Sequence, residues 1–350
     1  MPQPAPADVD LLHRLVAIES RSGQEHDAVA ELCREMTARG FAAAPDAAGS
    51  AVGVIGTGAT KIVLLGHIDT VPGRIAVRIE DGVLHGRGAV DAKGPLCAFV
   101  CAAQAAIAAG ANATITVVGA AGEEAIGSVG ANAVAAWPAP DLCIIGEPSG
   151  WDALCLGYRG TLSLFYRLRR PARHSAGPGE SVAEEAIAFW NALRAELDVR
   201  NQGAAGSFQR IGHALRAFNT GGDGLHDHAT LSIGLRLPPG LDVEAVLIRL
   251  HDLAGDATIT VDGCQEGYRS AKQSPLVPPF LRAIRAAGGA PRFTLKLGTS
   301  DMTVVGPVWR CPIVAYGPGD AALDHTPDER IVLADYARAI RVLTDVLVAS

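Results

Sequence analysis

Four short apolar runs punctuate the first 150 residues: AVGVIG (51–56), KIVLLGH (61–67), TITVVGA (114–120) and DLCIIGE (141–147). Each has strand length, is rich in β-branched residues and is nearly free of polar ones. That is the pattern of strands covered on both faces. Ala-rich stretches of helical length lie between them, at 94–109 and 128–136. The alternation predicts an α/β fold in which helices flank a central, mostly parallel sheet. Upstream, Asp8 or Asp10 is placed to cap a helix reaching Ile18. Ser22, with Glu25 three residues on, has capping-box spacing for a second helix that ends at Gly40.

The pattern changes near residue 155. GYRGTLSLFYRLRR alternates like a half-exposed strand. A helix (180–197), strands near 211–218 and 229–237, a helix near 242–254 and a strand near 257–262 follow. The buried pattern then returns with a helix at 278–287, a strand at 311–317 and a last helix at 331–348. We therefore expect one α/β domain, residues 1–155 plus 270–350, carrying an inserted two-layer α+β domain, residues 156–269.

Composition narrows the class. The 350 residues are 49% hydrophobic and 19% charged, which suits two or three folded domains and excludes disorder, collagen and coiled coil. A net charge of −7 argues against nucleic acid as a general partner. No window holds the roughly 18–20 apolar residues of a membrane span. MPQPAPADVD has no basic n-region or apolar h-region, so no signal peptide is expected. Seven scattered cysteines then suit a reduced, cytoplasmic protein. Cys97 and Cys101, four apart on a helix, read as small core residues, with a shared metal as the alternative.

The polar residues of interest sit where strands end, the usual ligand position in open α/β sheets. His67 and Asp69 close one strand, Glu123 and Glu124 follow another, and Glu147 ends a third. Asp91 lies in the glycine-rich HGRGAVDAKG, and His325 in the loop after CPIVAYG. Singly each has a plain reading: a surface histidine, a solvated acidic pair, a helix cap for Asp91. Together, four carboxylates facing one crevice repel unless they point apart into water or share a cation. Two histidines and three carboxylates suffice for two Zn²⁺. Two ions bring about +4, and Asp91, Glu124, Glu147 and a bridging hydroxide about −4, a near-neutral site. Glu123 is then an unligated carboxylate beside activated water, as a general base should be. Asp69, on the same side of the chain as His67, is placed to orient that imidazole.

GHIDTVP (66–72), GRGAVDAKG (86–94), GAAGEEAIGSVGA (119–131), IIGEPSG (144–150) and GDAALDHTPDE (319–329) together resemble the dizinc aminoacylase and carboxypeptidase family. That family includes acetylornithine deacetylase and succinyl-diaminopimelate desuccinylase. The resemblance implies a zinc-peptidase-like catalytic domain with an inserted lid that dimerises. It implies two zinc ions per subunit, with cobalt or manganese as substitutes: one on His67 and Glu147, one on Glu124 and His325, both bridged by Asp91. Asp69 and Glu123 become catalytic, and the Asp91–Ala92 peptide is expected to be cis. RHSAGPGESVAEEA (173–186) resembles the lid motif whose histidine, here His174, reaches the partner subunit's site to stabilise the oxyanion. Asn219, with Gly221 and Gly222, and Arg236 match lid positions that contact substrate. Thr299, Ser300 and Asp301 resemble a loop near the substrate carboxylate, or form a structural turn.

Within the family, IIGEPSGWD, GYRG, KLGTSDM and VAYGPGDAALDHTP are most similar to the hydrolases that release lysine or ornithine from an amino-group carrier protein. The implied substrate is a small acidic carrier whose C-terminal Glu γ-carboxyl is joined to the amino acid, in lysine and possibly arginine biosynthesis. Five arginines (159, 167, 169, 170, 173) and no acid occupy residues 159–173. They form either a solvated strand face or a basic face that steers the carrier. A small-molecule N-acyl deacylase or desuccinylase is the main alternative. An inactive metal-dependent scaffold or a nucleotide-binding enzyme fits less well, since every core residue is present and neither GxGxxG nor a Walker lysine motif occurs.

Overall fold

A computed structural model describes residues 4–174 and 176–350. The continuous apolar runs become the middle of a mixed sheet. Strands Ala113–Ala120, Thr60–His67, Leu142–Gly146 and Ile313–Ala315 lie side by side and parallel. Outside Ala113–Ala120, strands Ala51–Ile55 and Ala42–Pro45 continue the sheet antiparallel. Beyond Ile313–Ala315 comes Ala153–Tyr158, flanked by Tyr268–Arg269 and Arg292–Lys296. A separate small sheet orders Arg330–Val332, Val83–His85 and Arg78–Glu80.

The helix Lys93–Ala108 packs on Thr60–His67, on Ala113–Ala120 and on the final helix Leu333–Val348. It is buried nearly all round, which accounts for its apolar composition on every face. Cys97 and Cys101 lie in this core, Cys101 Sγ 3.7 Å from the Tyr336 hydroxyl. Burial pushes the Cys97 thiol up to about 12, so it is a packing residue.

The chain divides into two compact units. The larger takes the chain up to Gly157, Arg269–Leu295 and Ser300–Ser350; the smaller takes Tyr158–Tyr268 and Lys296–Thr299. The smaller is an antiparallel sheet ordered Gly212–Gly222, His226–Leu237, Gly160–Pro171, Thr258–Gln265. Alternate residues Leu162, Leu164, Tyr166, Leu168 and Ala229, Leu231, Ile233, Leu235 are buried with the inner faces of helices Val182–Arg200 and Val243–Ala254. Tyr166 stacks on Phe189 at 4.3 Å between centroids. Two layers thus share one core.

Local signals misled in places. The first helix begins at Pro6, a favoured first-turn residue, ahead of both aspartates proposed as caps. Ser22 and Glu25 form no capping box: the helix begins only at His26, the Ser22 hydroxyl donates to Asp69, and Glu25 accepts the Gly23 and Gly122 amides. A full capping box forms instead at Ser181 and Glu184. Strand Arg292–Lys296 and helix Met302–Trp309, which contains Pro307, carry too little periodicity to be read from sequence.

Two arginines of the basic stretch face acids, while Arg167 and Arg173 are exposed and donate to neutral oxygens. Arg169 pairs with Asp223 at 3.1 Å, and Arg170 with Glu185 at 2.9 Å and Asp256 at 3.3 Å. Arg159 is buried and donates to the carbonyls of Leu297 and Arg210. Among the described residues, no helix is long and apolar enough to cross a membrane.

Candidate metal centre

The larger unit gathers His67, Asp91, Glu124, Glu147 and His325. His67 ends its strand, Glu147 follows Leu142–Gly146, and Glu124 lies four residues beyond Ala113–Ala120. These three strands are adjacent and parallel, so their carboxyl ends open on one side. Asp91 precedes helix Lys93–Ala108. Its turn needs glycine: Gly88 has φ +83°, and a Cβ on Gly94 would sit 2.4 Å from the Ala89 carbonyl. The Asp91–Ala92 peptide is cis.

Asp91 spans the cluster. Its Oδ1 lies 3.2 Å from His67 Nε2, and its Oδ2 lies 2.9 Å from His325 Nε2. Glu147 Oε1 is 3.9 Å from His67 Nε2, and Glu124 Oε1 is 2.8 Å from His325 Nε2. His67 is 1% exposed at its side chain, and Asp91, Glu124 and Glu147 about a tenth. Ligand atoms of His67, Asp91 and Glu124 fall within 4.8 Å of one another.

The donor set fits a pair of divalent ions sharing one carboxylate. Zinc takes imidazole nitrogen and carboxylate oxygen at about 2.0–2.2 Å, which in a tetrahedron puts ligand atoms about 3.3 Å apart. The observed spacings bracket that value. The electrostatics agree, since so many acids close together need positive charge. His325 is raised to about 10 by its contacts with Asp91 and Glu124, against the opposing effect of burial. Burial would depress His67, but Asp69 and Asp91 outweigh it and hold the imidazole well above its usual range. Asp91, disfavoured by burial, is nevertheless held low by both histidines. Glu123 goes the other way: burial raises its carboxyl strongly, reinforced by Asp301, Glu124 and Asp91 against His67.

Asp69 contacts His67 differently from the expectation. His67 Nδ1 lies 3.0 Å from the Asp69 carbonyl oxygen and 3.6 Å from the carboxylate Oδ1. The carboxylate accepts from the Ser22 hydroxyl at 2.7 Å and from the Glu123 and Glu124 amides at 3.1 and 3.0 Å. Glu25 similarly accepts the Gly122 amide at 3.1 Å.

Other residues were not singled out from sequence. Buried Glu329 accepts the amides of Val90 and Asp91, both at 3.0 Å, and pairs with Arg87 at 2.6 Å. Lys93, almost fully buried, donates to the carbonyls of Leu15 and Ile18, and burial lowers it to about 8. The spacing of Glu329 from His325 within GDAALDHTPDE is the one available clue to the former.

Of the remaining expected residues, His174, Asn219, Arg236 and Thr299 belong to the smaller unit, and Ser300 and Asp301 to the larger. His174 is an exposed residue of the smaller unit whose Nδ1 accepts the Ala176 amide at 3.1 Å; Ser175 lies outside the described residues. Asn219 is exposed on strand Gly212–Gly222, opposite Thr230, with Gly221 and Gly222 further along it. Arg236 donates to the Thr299 hydroxyl within the same unit. Ser300, in the larger unit, is buried, and its hydroxyl accepts the Met302 amide. Asp301 is buried as well, and burial raises it to about 7.

Known proteins share this arrangement of elements. Sso-CP2, an M20 family metallo-carboxypeptidase from Sulfolobus solfataricus, superimposes with a TM-score of 0.81, covering 97% of this chain and 98% of its own at 18% identity. Aminopeptidase PepT from Bacillus cereus gives 0.80, covering 98% of each chain at 19% identity. At these identities the likeness is one of fold. A LysW-lysine hydrolase of Deinococcus radiodurans is 45% identical over 355 residues, spanning 98% of this chain and 97% of the relative. The family model of peptidase family M20/M25/M40 matches residues 63–349, a span running from the strand of His67 through the loop of His325, and the chain belongs to that family.

Proposed function

We propose that this protein is a metal-dependent amide hydrolase that releases lysine and/or ornithine from the C-terminal Glu γ-carboxyl of the carrier protein LysW, in lysine biosynthesis. The observation that carries the reading is the 45% identity to a LysW-lysine hydrolase along nearly the full length of both chains. The converging histidines and carboxylates support the chemistry.

His67 and Glu147 would hold one ion and Glu124 and His325 the other, with the Asp91 carboxylate shared between them. Zinc suits the ligands best, and cobalt or manganese can replace it. Bound there, such ions acidify water and polarise the amide carbonyl. Glu123 takes the proton of the attacking water and returns it to the departing α-amino nitrogen. Asp69 fixes the backbone of Glu123 and Glu124 while its carbonyl oxygen orients His67. His174 of a partner subunit, in a homodimer formed through residues 156–269, stabilises the oxyanion. Asn219, Arg236, Thr299 and Ser300 contribute to substrate binding, with Arg236 and Thr299 acting as a pair.

Purified enzyme is assayed with carrier-linked lysine, carrier-linked ornithine, acetyl-lysine and succinyl-diaminopimelate. Preferred turnover of the carrier-linked substrates supports the reading. Preferred turnover of either small N-acyl compound overturns it in favour of a deacylase.

A further inference from the structure

The two histidines of the centre are secured very differently. His67 ends a central strand, is 1% exposed at its side chain, and places Nδ1 3.0 Å from the Asp69 carbonyl. His325 is half exposed on a loop and has φ +61°, in the left-handed region that non-glycine residues seldom occupy. Such a conformation persists where the surroundings over-determine it. Next to His325 the Thr326 amide and hydroxyl both donate to the Leu323 carbonyl, at 3.1 and 2.8 Å, and four residues downstream Glu329 ties the same loop to the segment of Asp91.

Glu329 is 1% exposed and fully engaged. Oε1 accepts the amides of Val90 and Asp91, and Oε2 accepts Arg87 Nη1. Its own carbonyl accepts the Gly86 amide at 3.2 Å. Arg87 also donates through Nε to the Gly73 carbonyl at 3.1 Å, on the loop that follows Asp69. One carboxylate therefore ties the loop of His325 to the backbone of Asp91. Charge-assisted bonds to a buried carboxylate are among the stronger and more directional ones.

We propose that Glu329, clasped by Arg87, is a positioning residue that fixes His325 relative to Asp91 and so sets ion binding on the Glu124–His325 side of the centre. This rests on the dimetal reading above. The His67–Glu147 side, anchored on the central sheet, depends on the clasp much less.

Zinc binding to the metal-free full-length protein, by competition with a chromophoric chelator, tests this. Wild type should bind two ions per chain. E329Q should bind one with wild-type affinity and the other about 10–100-fold more weakly, the usual effect of removing a group that orients a ligand. R87M, which leaves the two amide bonds to Glu329 in place, should weaken the same ion less. The double variant should be no weaker than E329Q, because the pair acts as one unit. If near-UV circular dichroism shows E329Q unfolded, R87M is read against the same expectation. Two ions of wild-type affinity in E329Q and R87M, or equal weakening of both ions, overturns the clasp while leaving the centre standing. A wild type that binds no ion overturns both.

Discussion

The carboxylate of Asp69 accepts the backbone amide of Glu124 at 3.0 Å while its other oxygen accepts that of Glu123 at 3.1 Å. A single side chain at the end of one strand thus sets the turn after the neighbouring strand, and with it two site acids. Burial alone would raise Asp69, but His67, Ser22 and these amides hold it below its ordinary value. Asp69→Asn presents an NH₂ group to one of the two amides and disturbs the turn. We expect a roughly 10–100-fold loss of kcat, with weakened metal binding. Steady-state kinetics with metal content measured on the same preparation checks this, and an unchanged kcat contradicts it.

Glu123→Gln keeps the shape of the side chain and removes its basicity. Metal content is expected to stay at the wild-type level while kcat falls by about 10²–10⁴-fold, the range for loss of a general base. Elemental analysis beside turnover of carrier-linked lysine separates the two effects. Full activity in this variant refutes the assignment.

His174 in a partner's site predicts complementation. His174→Ala and Glu123→Gln are each expected to be inactive. Subunit exchange between them builds hybrid dimers with one intact site, so the mixture should regain about a quarter of wild-type activity. No recovery after demonstrated exchange rules out a role across subunits.

Asp301 makes metal-free stability depend on pH. Burial, opposed by the charge of His67 and aided by Asp69, raises its carboxyl from 3.8 to about 7. An acid raised on folding leaves stability intact below its unfolded value. It lowers stability progressively as pH rises from about 4 to about 7, by on the order of a few kcal/mol at most. Asp301→Asn should therefore match the wild-type metal-free protein near pH 4 and exceed it at pH 8. Urea unfolding at both values tests this, and equal stability at pH 8 contradicts it.

Of Arg167, Arg169 and Arg170, the last two have their charge offset by neighbouring acids. Arg169 and Arg170 face acids, and Arg167 lies 5.2 Å over the Phe165 ring and donates to Thr260. Replacing all three with Ser should cost at most about 1 kcal/mol per exposed pair and leave kcat/KM for carrier-linked lysine nearly unchanged. A large fall in kcat/KM at low salt, vanishing at high salt, would instead establish steering.

The buried strands and the polar residues at their ends were legible in the sequence because both follow from local pattern. A strand covered on both faces must be apolar, as 62–66 is, and the chain must turn polar where the sheet stops, as at His67 and Glu147. What those polar atoms touch was decided by tertiary structure. Ser22 and Glu25 carry a capping-box spacing, yet their oxygens meet Asp69 and the Gly122 amide, which no short-range signal announces. Glu329 reaches the Asp91 amide across 238 residues, and Arg87 reaches Glu329 across 242. A hydrogen bond is fixed by distances of tenths of an ångström, and only the packed sheet, helices and loops bring such distant groups to that separation.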